Sequence, residues 1–180
     1  MALKNRSRST TCLIFTLSNL LLNELRRSTY SRIINVSSAG YSSGKFDIDN
    51  LQSEKEFSSF STYCNTKLLN MLFTFELAER LKGTGITVNV LHPGVVRTNF
   101  AHELKGFFSL LNLMFKPFLL SPDKGAATSI YLSSSDEVKN ISGKYFVKCK
   151  PFETKNIYIT KENQKILWEK SKELSGLSLE

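Results

Sequence analysis

Two short apolar runs on either side of a long helical segment constrain the fold more than any other feature of the chain. The runs are RIINVSS at 32–38 and ITVNVL at 86–91, both rich in β-branched residues. Between them, residues 60–82 carry apolar side chains at helical spacing, and Gly83 follows as a helix stop. Strand, helix and strand in this order predict a βαβ unit with parallel strands and a right-handed crossover.

Polar loops follow both predicted strands. SSAG at 37–40 follows the first strand, and HPGVVRT at 92–98 follows the second. In open parallel sheets, ligands bind at the carboxyl ends of the strands. The start of the helix comes to the same edge, so three polar segments are predicted to meet there.

Tyr63 and Lys67 stand four positions apart at the start of this helix. A free phenol is a poor base at neutral pH, but an ammonium one helical turn away lowers its pKa. A hydroxyl from Ser37 or Ser38 could hold a substrate oxygen while the tyrosine moves its proton, which predicts acid–base chemistry at a carbonyl or alcohol. No side chain supplies a hydride, so a nicotinamide cofactor is the expected source. The alternative interpretation of the pair is an exposed decoration of the helix.

Further elements surround this unit. The sequence predicts a helix over 13–27, a helix that begins at Ser121 as its N-cap, a third strand over 143–150, and an exposed charged helix over 161–174 that carries Trp168. Residues 104–120 are apolar all round and are interpreted as a lid over an apolar substrate, a membrane-surface patch or ordinary core. His92, Asn89, Asn35 and Ser37 are expected to have structural roles.

Composition narrows the class of protein. A chain of 180 residues with 41% hydrophobic residues predicts a single folded domain. Its net charge of +8 is spread along the sequence without a nucleic-acid-binding motif, so no nucleic-acid partner is predicted. The spacing of Cys12, Cys64 and Cys149 fits neither a disulfide framework nor a metal site, which predicts a reducing compartment and no metal.

The first residues, 1–12, are basic and polar and are predicted to be a disordered start; a mitochondrial presequence is the alternative. No run reaches the roughly 20 apolar residues that a membrane-spanning helix needs.

Several motifs, in this order and spacing, resemble the short-chain dehydrogenase/reductase family, in its retinol-dehydrogenase-like branch. They are INVSSAG, YCNTK, LFTFELAERLKGTG, HPGVVRT and SGKYFVKCK, and the resemblance covers roughly residues 15–175. It implies an α/β fold, the C-terminal portion of a doubly wound, Rossmann-type parallel sheet with flanking helices, in a partial domain over 13–180. It also implies an oxidoreductase that interconverts an alcohol and a carbonyl.

The resemblance also implies residue roles. Tyr63 would be the catalytic acid/base, Lys67 would lower its pKa and bind the nicotinamide ribose, and Ser38 would hold the substrate oxygen. Cofactor contacts would come from Tyr63, Lys67, Pro93, Gly94, Val96 and Thr98. The branch favours NADP(H) over NAD(H), an apolar alcohol or aldehyde such as a retinoid, and association with endoplasmic-reticulum or mitochondrial membranes.

The chain departs from the family pattern in its first half. It has no glycine-rich TGxxxGxG turn for the pyrophosphate, its first glycine is Gly40, and Thr10 stands where the family has a fourth catalytic residue, an asparagine. The first βαβ half is therefore expected to be missing, which leaves the strand over 32–37 as an edge. The alternative function is a catalytically inactive remnant or interaction protein that pairs through this edge with a second copy or a complementing chain.

Overall fold

The computed structural model describes residues 6–52, 55, 58–96 and 120–177, with side chains from residue 12 onward. The described elements are α1 (Arg6–Leu20), α2 (Leu22–Arg26), β1 (Ser31–Val36), α3 (Ser59–Arg80), β2 (Ile86–His92), α4 (Pro122–Ser134), β3 (Tyr145–Val147), β4 (Lys150–Pro151) and α5 (Lys161–Ser175), with 3-10 turns at Ala39–Ser43, Ile48–Asn50 and Asp136–Val138. Thr98 and positions 104–119 of the predicted lid lie outside the described residues.

A mostly parallel sheet in the order β1-β2-β3-β4 forms the centre of the fold. β1 pairs in parallel with β2 from Ser31–Ile86 to Val36–Leu91, and β2 pairs in parallel with β3. The helix α3 connects β1 to β2, so the βαβ unit predicted from the apolar runs is confirmed. The α/β fold class predicted from the sequence is confirmed with it.

The third strand predicted over 143–150 is wrong in its extent. β3 and β4 are instead two short antiparallel strands joined by Lys148 and Cys149. These two residues have φ of 50° and 61°, the left-handed conformation that reverses a two-residue hairpin. The Cys149 N–H donates to Thr128 Oγ1 at 3.2 Å, which ties the turn to α4.

Helices cover both faces of the sheet. Alternate residues of β2 point to opposite faces, so Val88 and Val90 lie in the core under α3 while Leu91 packs with Leu132 of α4 and Phe146 of β3. On the α3 side, α1 and α5 form an outer layer. The helix predicted over 13–27 is found as two helices, α1 and α2, on either side of Leu21.

Three aromatic rings join this outer layer to α3. The ring of Phe15 on α1 lies 4.9 Å from Trp168 on α5 and 5.9 Å from Phe73 on α3, and Phe73 stacks on Trp168 at 5.9 Å. Trp168 is only 5% exposed, so the prediction of an exposed helix over 161–174 is wrong for this face of the helix. Its other face is charged, and Arg80 of α3 lies 4.3 Å over the Trp168 ring.

Candidate functional site

Ser38 lies directly after β1 at the carboxyl edge of the sheet. It has extended backbone and caps the 3-10 turn Ala39–Ser43, which we call the serine turn. Its Oγ accepts a hydrogen bond from the Gly40 N–H at 3.2 Å. Because the hydroxyl acts as an acceptor in this bond, its own hydrogen can be donated to an oxygen of a ligand.

Tyr63 and Lys67 lie in the first turns of α3 and face the same edge. The Tyr63 side chain is 41% exposed, and the Lys67 Nζ lies 5.6 Å from the centre of the Tyr63 ring. Lys67 Nζ donates to the Val36 carbonyl at the end of β1 at 3.4 Å. Burial lowers the pKa of the Lys67 ammonium below its ordinary value of 10.5.

A close approach at Gly40 brings the serine turn against Tyr63. A Cβ added at Gly40 would lie 3.1 Å from Tyr63 Cε1 and 3.4 Å from Cys64 Sγ. The first distance is shorter than an ordinary van der Waals contact, and the second is at the lower limit of one. Glycine therefore lets the backbone that follows Ser38 pass directly beside the phenol ring. The structure thus brings Ser38, Tyr63 and Lys67 to one edge of the sheet.

Polar side chains cross-link β1 to α3 behind this edge. The bonds run from Asn35 Nδ2 to Thr74 Oγ1 (2.9 Å), from Ser37 Oγ to the Lys67 carbonyl (2.8 Å), and from Asn70 Nδ2 to the Val36 carbonyl (3.2 Å). The structural roles predicted for Asn35 and Ser37 are confirmed. Asn70 was not predicted from the sequence, although an asparagine on the apolar face of a predicted helix is itself a signal of a buried hydrogen bond.

His92, the last residue of β2, holds the serine turn from the other side. Its Nδ1 accepts from the Ala39 N–H at 3.3 Å, which requires a neutral ring with its proton on Nε2. Burial lowers the pKa of His92 and so favours this neutral form. This contact agrees with the structural role predicted for His92. The backbone bonding predicted for Asn89 is confirmed by its bonds with the Ile141 carbonyl and the Lys144 N–H.

The predicted cofactor turn continues from His92. Gly94 has φ of 84°, and a Cβ there would lie 2.5 Å from Leu120 Cδ1. Val96 forms a parallel bridge to Leu120, so the turn is fastened to the residues that precede α4. Pro93 and Gly94 are half-buried beside the end of β2, next to the edge where Ser38 and Tyr63 meet.

In the described ranges, no group of three or more His, Cys, Asp and Glu side chains is arranged to hold a metal ion. Among the described helices, none has the length and apolar character needed to cross a bilayer.

The sequence model of the family described as short chain dehydrogenase matches residues 12–107 of this chain. The chain therefore belongs to the short-chain dehydrogenase family. Among curated proteins it is 45% identical to human Retinol dehydrogenase 14 over 166 residues, which cover 91% of this chain and 49% of that protein. It is 40% identical to human Retinol dehydrogenase 12, over 92% of this chain and 52% of that protein.

These relatives place the chain in the retinol-dehydrogenase-like branch, as the motifs predict. The chain spans about half the length of the curated relatives it matches. A solved structure, of an uncharacterized protein from Mycobacterium Paratuberculosis, superposes with a TM-score of 0.73 at 23% identity, over 98% of this chain and 60% of that one. That likeness supports the fold alone.

Proposed function

We propose that this chain carries the acid–base centre of a nicotinamide-dependent oxidoreductase acting on an apolar alcohol or aldehyde of the retinoid class. The observation that carries the proposal is the contact at Gly40, which sets the backbone beside Ser38 against the Tyr63 ring. Lys67 adds a positive charge 5.6 Å from the same ring. Family membership supports the reaction class, and the names of the curated relatives support an apolar substrate.

Each residue has a distinct role in this proposal. The Ser38 hydroxyl donates to the substrate oxygen and fixes its position. The Tyr63 hydroxyl exchanges a proton with that oxygen, as a base when an alcohol is oxidised and as an acid when a carbonyl is reduced. Lys67 places its ammonium 5.6 Å from the Tyr63 ring and donates to the ribose next to the nicotinamide.

The residues present fit the nicotinamide end of the cofactor. The nicotinamide ring supplies or accepts the hydride when it is bound. Among the described residues, Lys67 Nζ donates to the Val36 carbonyl, and since an ammonium has three hydrogens, others can reach ribose hydroxyls. By the resemblance, the backbone at Pro93, Gly94 and Val96 would contact the nicotinamide, and Thr98 would contact its carboxamide or the pyrophosphate. We favour NADP(H) over NAD(H) from the resemblance to the branch.

The first test is NADPH binding to the 180-residue chain, followed by energy transfer from its single tryptophan, Trp168, to the reduced nicotinamide. We expect saturable binding that Lys67→Ala abolishes. Lys165, exposed on α5, is the matched control, and Lys165→Ala should bind as the unmodified chain does. A folded chain that binds no NADPH would refute a stand-alone enzyme.

Comparing NADPH with reduced nicotinamide mononucleotide tests which end of the cofactor the chain binds. The sequence contains no glycine-rich pyrophosphate turn, so reduced nicotinamide mononucleotide should bind about as tightly as NADPH. With binding established, retinal reduction should be lost in Tyr63→Phe, which keeps the ring and removes the proton donor. Undiminished reduction by Tyr63→Phe would exclude Tyr63 as the acid.

A further inference from the structure

Asn156, in the segment between β4 and α5, holds the serine turn through its side-chain amide. Its Nδ2 donates to the carbonyls of Tyr41 and Gly44 at 2.9 Å each, and to that of Ser42 at 3.2 Å. Its Oδ1 accepts from the Tyr158 N–H at 2.8 Å, which fixes the orientation of the amide. The two hydrogens of this amide therefore serve three carbonyls of the serine turn and its C-cap, with one hydrogen shared between two of them.

The turn held by Asn156 is the one that Ser38 caps. Within it, the Tyr41 N–H donates to the Ser38 carbonyl at 3.1 Å, and the Gly44 N–H donates to the Tyr41 carbonyl at 3.0 Å. The buried Tyr41 ring packs edge-on against Tyr145 at 5.2 Å. A displacement of the carbonyls at 41–44 therefore moves Ser38.

The same displacement changes the contact with Tyr63. The Gly40 backbone lies directly against the Tyr63 ring, where an added Cβ would be 3.1 Å from Cε1. The hydrogen bonds that hold Lys67 run to β1, through Ser37 and Val36, and do not include Asn156. Loss of Asn156 should therefore alter the Ser38–Tyr63 geometry and leave the Lys67 side of the site in place.

We propose that Asn156 is a positioning residue for the reaction, which sets Ser38 against Tyr63 by holding the carbonyls of the serine turn. This inference rests on the proposed function for its kinetic consequence. Its structural consequence, a serine turn that opens without Asn156, is independent of that function. A small displacement of a substrate-holding group lowers the rate of the chemical step more than it lowers binding.

The decisive variant is Asn156→Asp. The carboxylate keeps an oxygen for the Tyr158 N–H but directs a second oxygen at three carbonyl oxygens, where the amide donated. Asn156→Ser removes the three bonds without adding a charge and replaces the aspartate variant if that one does not fold. The matched control is Asn163→Ala, in α5, where the lost Nδ2 bond goes to the Tyr158 carbonyl at 2.9 Å and not to the serine turn.

Two measurements on the full chain decide the proposal. In retinal reduction, we expect kcat to fall on the order of 10²-fold with an unchanged Kd for NADPH, and no change in Asn163→Ala. In amide hydrogen exchange, the Tyr41 and Gly44 N–H groups should exchange faster in the Asn156 variants, while amides of α3 should not change.

Unchanged exchange at Tyr41 and Gly44 would overturn the proposal, as would an equal increase of exchange throughout the chain. An unchanged kcat in an active chain would also overturn it. If the unmodified chain reduces no substrate, the proposed function fails, and exchange alone then decides whether Asn156 holds the turn.

Discussion

Phe15 is a residue whose replacement should strongly destabilise the fold. It is fully buried on α1, and its ring contacts Trp168 of α5 and Phe73 of α3 edge-on. A buried phenylalanine replaced by alanine costs about 3–5 kcal/mol, because both transfer energy and packing are lost. The net stability of a domain is typically about 5–15 kcal/mol, so Phe15→Ala should remove a large fraction of it. Both aromatic partners would border the resulting cavity.

Urea unfolding followed by Trp168 fluorescence measures this loss at its site, with far-UV circular dichroism as a second probe. With a slope of about 2 kcal/mol per M, the midpoint should fall by roughly 2 M. Leu17 on the same helix is 60% exposed, and Leu17→Ala should cost no more than about 0.5 kcal/mol. If Phe15→Ala and Leu17→Ala had the same midpoint, α1 would not be anchored through Phe15, and the reasoning would fail.

Two further predictions concern residues around the serine turn. Burial lowers the pKa of His92 below 6.5, so between its folded pKa and 6.5 the unfolded chain binds more protons than the folded chain. The free energy of unfolding should therefore decrease as pH falls through this window. His92→Asn should flatten the dependence of the urea midpoint on pH between 7.5 and 5. A Cβ at Gly44 would lie 2.6 Å from the Cys64 carbonyl oxygen, so Gly44→Ala should cost about 1–3 kcal/mol in thermal unfolding, and an unchanged Tm would contradict the close packing of the turn on α3.

The central βαβ unit could be predicted because its pattern is local. Strands predicted over 32–38 and 86–91 are found at Ser31–Val36 and Ile86–His92, and the helix predicted over 60–82 is found at Ser59–Arg80. The hairpin after β3 could not be predicted, since Lys148 and Cys149 take left-handed backbone without the glycine or asparagine that usually marks it.

The burial of Trp168 was missed for a different reason. Its covering ring, Phe15, lies at the other end of the sequence, and the charged residues around Trp168 in α5 give no sign of that partner. A hydrophobic pattern within one segment reports which side chains can be buried. It does not report which distant segment covers them.

Part of the candidate site could likewise be predicted from the sequence, and part of it could not. The meeting of Ser38 with Tyr63 and Lys67 follows from topology, because the end of β1 and the start of α3 must both lie at the carboxyl edge of the sheet. Asn156 bonds carbonyls 112–115 residues away, and nothing in its own sequence neighbourhood marks that contact. Supporting residues of this kind emerge only when the fold brings the segments together.

The hydrogen bonds that set the proton-transfer geometry are distinct from any contacts with the phosphates of the cofactor. The bonds that place Lys67 and Tyr63 lie within the β1–α3 pair, through the Ser37–Lys67 and Asn70–Val36 contacts. None of them involves a phosphate-binding residue, so the proton-transfer geometry does not depend on a pyrophosphate turn. A pyrophosphate turn would add affinity for the phosphates alone, because its backbone N–H groups neutralise them. The catalytic geometry should therefore persist in this chain whether or not the phosphates are held, and the affinity proposed above comes from the nicotinamide end, through Lys67 of α3.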